Sequence, residues 1–162
     1  MQEIAPFLDY LADSAPAAWL AGSADLRAAV TAVHALSATI LVGAVVPFDL
    51  RLIGFWRSVP LADISRVLGR TVLVAFAVAF VTGFALFSQR PFAHSADPAF
   101  VAKIALIALA GLNGLLLRFV TAWRLLDQVD SRGTISRFRT AGCISLAAWL
   151  LVLAVMRWPQ LL

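Results

Sequence analysis

The sequence predicts an all-α membrane protein. It reads as a bundle of four transmembrane helices with short N-terminal interfacial helices and both termini on the outer side. Three observations predict this class. Of 162 residues, 62% are apolar and 14% charged, and the mean hydropathy is +0.90. Soluble domains are closer to half apolar and a quarter charged. Ionisable side chains leave four long stretches almost free of charge, and Lys and Arg are unevenly shared among the segments between them. The composition excludes a disordered chain, a nucleic-acid-binding domain and an ordinary cytosolic enzyme.

The four stretches set the helices. Between Arg27 and Asp49 lie 21 residues, and between Arg70 and Arg90 lie 19. Between Asp97 and Arg118 lie 20, broken only by Lys103, and between Arg139 and Arg157 lie 17. A helix needs roughly 20 residues to cross a ~30 Å hydrocarbon core. Spanning helices are therefore expected at about 26–48, 69–89, 98–120 and 140–158. The chain is too short to bury four such helices on all sides in a soluble core. Runs such as 72–87 are apolar throughout, without the alternation of a barrel strand.

Local signals refine the boundaries. The first 25 residues read as an N-terminal interfacial segment, and 26–162 as the bundle. Ile4, Phe7, Leu8 and Leu11 fall near helical spacing, and Ser14-Ala15-Pro16 opens a second short helix that Gly22 ends. Met1-Gln2-Glu3 is not the basic start of a cleavable signal. Pro47 is expected near the end of the first spanning helix. Leu61, Ile64, Val67 and Leu68 form the apolar side of a segment expected to lie along the inner interface. Asp97-Pro98 opens the third spanning helix.

Charge orients the spans. The first and third inter-helix segments carry Arg51, Arg57, Arg66 and Arg70, then Arg118, Arg124, Arg132, Arg137 and Arg139. The other side carries Arg27, Arg90, Lys103 and Arg157. Nine against four places the first set in the cytoplasm. The expected location is a bacterial inner membrane, with multiple passes and basic residues against anionic lipid. Trp19 and Trp158 then fall at the outer boundary and Trp56 and Trp123 at the inner one, while Trp149 is near mid-membrane.

Ionisable groups inside a bilayer are functional candidates. His34 lies about 10–12 Å into the first spanning helix from its outer end, and Lys103 about 7–8 Å into the third. Thr31 and Ser37 share the His34 face. His94 lies in the outer loop between the second and third helices. Three readings stand together. His34 and His94 are candidate axial ligands of haem b, with Lys103 and Arg90 meeting the propionates. His34 and Lys103 are candidates for a metal-free polar site holding a quinone head group, a small anion or a proton in transit. Lys103 snorkelling to head groups and His34 bonding a neighbouring carbonyl would be purely structural.

Asp49, Arg51, Asn113 and Arg118 make a second polar set, near the inner side. Asp49 with Arg70 or Arg118 would be an ion pair fixing helix order. Asn113 between Gly111 and Gly114 suggests close helix approach with an interhelical hydrogen bond. Cys143 is expected to be a small packing residue. No phosphate loop, His-Glu-x-x-His, Gly-x-Ser-x-Gly or Cys-x-x-Cys occurs. Hydrolase, transferase and nucleotide-binding signatures are thus missing, leaving an oxidoreductase component at most.

The runs His34-Ala35-Leu36, Val42-Gly43 and Asp49-Leu50-Arg51-Leu52-Ile53-Gly54 resemble a group of bacterial four-helix membrane proteins without an assigned activity. So do Asp97-Pro98-Ala99-Phe100-Val101-Ala102-Lys103 and Ala110-Gly111-Leu112-Asn113. In layout the chain is loosely similar to the membrane domain of copper-resistance D proteins and to small b-type cytochromes. That similarity implies haem, and it carries over only His34 as a candidate ligand. The expected function is an electron-transfer component binding haem b or quinone near the outer face, with a membrane or periplasmic redox partner. The alternative is a cofactor-free interaction or scaffold subunit.

Overall fold

The computed structural model describes residues 4–120, 123 and 135–157, with side chains through 155. The described residues hold seven helices and no strand: α1 (Ala5–Ala12), α2 (Ala15–Gly22), α3 (Ala24–Ile53), α4 (Leu61–Ser88), α5 (Pro91–Ala96), α6 (Pro98–Phe119) and α7 (Ser136–Arg157). Four of them, α3, α4, α6 and α7, are long and apolar enough to cross a membrane. Only 11% to 39% of each apolar window is buried within the protein, so most of that surface meets its surroundings. Helices apolar all round and so little covered suit lipid, where backbone groups must bond within the segment. The protein is a multi-pass, all-α membrane protein.

Proline and glycine explain most boundaries. α1, α2 and α5 each carry proline in the first turn, where a missing N–H costs nothing. Ser14 stands at the N-cap of α2 in extended backbone, but its hydroxyl donates backward to the Leu11 carbonyl. Ser23 caps α3 instead, its Oγ accepting from the Leu26 N–H at 3.2 Å. Asp97 caps α6, Oδ1 accepting from the Ala99 N–H at 2.9 Å.

Three expected boundaries shift. α3 does not end near Pro47 but runs through it to Ile53. The proline removes one N–H from the ladder, which membrane helices tolerate. The stop is Gly54, whose φ of 119° is open to glycine, and the N–H groups of Gly54 and Phe55 close on the Leu50 carbonyl. Residues 61–68 are not a separate interfacial segment, because α4 continues through them unbroken. His94 sits in the short helix α5 rather than in a loop.

Contacts group the chain into two compact units, Met1–Leu41 with Leu73–Val101 and Val42–Val72 with Ala102–Leu162. In the first, α1 packs against α2 and α5, burying Leu8 and Leu11. Trp19 is exposed there. The second has a core of Leu52, Leu61, Leu117, Phe138 and Ala141, with Phe48, Ala62, Trp123 and Ile135 packed on it. Trp123 is therefore a packing residue as well as a boundary aromatic: its ring meets Phe48 and Phe138 edge-on, at 6.1 and 5.9 Å between centroids. Trp149 is buried and Trp56 exposed. Trp158, Arg124 and Arg132, and the side chain of Arg157, lie outside the described residues.

Candidate functional site

His34 projects from α3 onto α4 within the first unit. Its Nδ1 lies 3.0 Å from the Ala79 carbonyl and 3.1 Å from Thr82 Oγ1. A carbonyl only accepts, so Nδ1 carries the proton. The Thr82 hydroxyl donates to the Val78 carbonyl at 2.7 Å, leaving its oxygen free to accept from the imidazole. The lone pair is then on Nε2, which has no hydrogen-bond partner among the described residues. Fixing one ring nitrogen on a carbonyl sets the tautomer and aims the other.

Gly83 makes this placement possible. A Cβ there would lie 2.8 Å from His34 Cε1 and 3.3 Å from Nδ1. Ala75 and Ala79, both buried, are small residues on the neighbouring turns of α4. The ring thus packs on α4 at Ala79, Thr82 and Gly83, and it is only half-buried. Thr31 and Ser37 do not join the site. Thr31 donates to the Arg27 carbonyl and Ser37 to those of Val33 and His34, because a hydroxyl in a helix satisfies itself on the preceding turn.

His94 has other surroundings. Its ring lies against Phe100 at 5.0 Å and Phe87 at 6.0 Å, and those two phenylalanines stack at 5.5 Å. No hydrogen bond or ring contact joins it to His34. Along α4 the two imidazoles also meet different levels, His34 at 79–83 and His94 at 87, a rise of about 6 Å or more. Lys103 is half-buried in α6, and Arg90 is exposed at the start of α5. No group of three or more His, Cys, Asp or Glu that would hold a metal occurs among the described residues.

The second polar set lies in the second unit and is largely packing. Asp49 and Arg51 are 2% and 1% exposed. Asp49 accepts a hydrogen bond from the buried Ser145 and forms no ion pair with Arg70 or Arg118 among the described residues. The reason is the approach of α7. A Cβ on Gly142 would lie 2.8 Å from the Asp49 carbonyl oxygen and 2.9 Å from Leu52 Cβ, so only glycine lets α7 come this close and bring Ser145 to the carboxylate. Arg51 donates from Nε to the Val59 carbonyl at 2.7 Å, and Arg139 from Nε to the Ile53 carbonyl at 3.2 Å. Asn113 donates across to the Ala141 carbonyl at 2.8 Å, the expected interhelical bond. Gly111 and Gly114 themselves do not make that approach among the described residues, as neither has a described atom within 4 Å of a Cβ position. Cys143 is exposed; its neighbour Gly142 is the packing residue.

The residues that position the two centres were missed in the sequence. Thr82-Gly83 is the one polar-and-small pair in the apolar run 72–87, and Gly142 and Ser145 share a helix face at i, i+3. Comparison of the chain with protein-family models, curated proteins and solved structures found no match.

Proposed function

We propose that the protein is an electron-transfer component of a bacterial inner membrane, binding the head group of a quinone at His34. The supporting observation is the imidazole with Nδ1–H committed to the Ala79 carbonyl and Nε2 open, inside an apolar span. A quinone supplies two-electron, two-proton chemistry when bound. His34 orients the head group and accepts at Nε2 the hydroxyl hydrogen bond of its reduced, quinol form, while Thr82 accepts from Nδ1 and Gly83 leaves room for the ring. The redox partner is a membrane or periplasmic protein. Both chain termini are assigned to the outer side on the charge bias of the connecting segments.

The same geometry favours haem b as a second reading. An imidazole bonded through Nδ1–H to a carbonyl is oriented as metal-bound histidines are. His34 fits as one axial ligand. His94, stacked on two phenylalanines and at another level of α4, does not fit as the second.

The experiment is extraction and spectroscopy of the full chain purified in detergent. Quinone should be recovered with the wild type, lost with His34→Ala and kept with His94→Ala. A Soret band lost with His34→Ala selects the haem reading. Absence of both quinone and Soret band leaves the cofactor-free scaffold reading and ends the proposal.

A further inference from the structure

We propose that Arg70 and Arg118 form a binding site for the phosphate of an anionic phospholipid, centred on Gly69. The observation is a close placement of two helices within the second unit. Arg118 Nη2 lies 3.8 Å from the position a Cβ would take on Gly69, so the guanidinium of α6 rests over bare backbone of α4. Arg70 is the next residue on α4, and Arg66 stands one turn before Gly69. The stretch of α4 under the Arg118 guanidinium therefore carries two further arginines, with Arg70 directly after Gly69 and within reach of a long side chain.

Charge balance makes this arrangement unusual. Arg66 is neutralised by Asp63 at 3.0 Å. Arg70 and Arg118 have no hydrogen bond or ion pair with a described residue, and both are exposed. Two like charges within side-chain reach of one point repel, and an anion bridging them turns that repulsion into two charge-assisted hydrogen bonds. Arginine is suited to the task, since its planar fork matches phosphate oxygens.

The surroundings select a lipid over a free ion. Leu115, one turn before Arg118 on the same face, is 53% exposed, and Leu116 beside it is 58% exposed. These residues belong to the apolar window of α6, so acyl chains would continue along the span from a phosphate held at Arg118. Basic pockets between transmembrane helices recognise anionic head groups in this way.

The test is native mass spectrometry of the full chain, released from detergent containing equal amounts of phosphatidylglycerol and phosphatidylcholine. The wild type should retain phosphatidylglycerol preferentially. The Arg70→Gln/Arg118→Gln double variant should lower that preference about thirtyfold, roughly fivefold for each arginine. Gly69→Glu, which sets a carboxylate under Arg118, should lower it comparably without removing an arginine. A charge-matched control, Arg57→Gln/Arg137→Gln, should leave the preference in place. Equal losses in the two double variants would mean a diffuse charge effect and would overturn the site. Displacement of the lipid by an equal concentration of inorganic phosphate would overturn the lipid assignment.

Discussion

His34 and Asp49 lie on the same helix, each with one hydrogen-bonding end committed and one open, yet their surroundings differ. His34 gives Nδ1–H to Ala79 and leaves Nε2 without a partner among the described residues, and its ring is half-buried. Asp49 accepts from Ser145 and leaves Oδ2 without a hydrogen bond among the described residues, but the residue is 2% exposed. A small residue creates both places. Gly83 leaves room for a ring against α4, and Gly142 lets α7 close over a carboxylate. Access separates the two. A sealed polar atom contributes to helix pairing at a desolvation cost, whereas a reachable one is available to a ligand.

Substitutions at the two places should separate in the same manner. The largest effect belongs to the second unit. Phe138→Ala empties a core position that is 1% exposed and should cost about 3–5 kcal/mol, read as a lower midpoint in denaturant unfolding of the detergent-solubilised chain. Gly142→Ala comes next. Its Cβ meets a backbone oxygen, which cannot swing away, so about 1–3 kcal/mol of destabilisation is expected in the same assay. The nearest atoms that the Gly83→Ala methyl meets belong to the His34 ring, which can rotate. Its stability loss should be the smaller of the two glycine variants, and its main effect should be loss of bound quinone. If Gly83→Ala instead destabilised the chain as much as Gly142→Ala and kept its ligand, the contrast between the two places would collapse. The smallest effect is expected from Asn113→Leu, which removes one interhelical hydrogen bond worth about 0.6 kcal/mol.

Much of the fold was legible because hydrophobicity and charge are one-dimensional signals. The gaps between Arg27, Asp49, Arg70, Arg90, Asp97, Arg118, Arg139 and Arg157 located all four spans. Helix ends were less legible where tertiary contacts override local signals. Pro47 reads as a stop, yet α3 continues to Gly54, where the left-handed backbone conformation ends it. The site was half legible. His34 was visible as a titratable group in an apolar stretch. Its partners Ala79, Thr82 and Gly83 were not, because nothing in one sequence says which face of α4 meets α3. The same limit hid Ser145 and made Arg70 and Arg118 look like partners for Asp49.

The most direct measurement is nitrogen NMR of the chain labelled at histidine, in detergent under reducing conditions, with and without a short-chain quinol. Two imidazoles are present, so His94→Gln assigns the spectrum. The account predicts a proton on Nδ1 of His34 and an Nε2 resonance that moves on adding quinol while His94 stays unchanged. A proton on Nε2, or an Nε2 resonance that does not respond to saturating quinol, would contradict it.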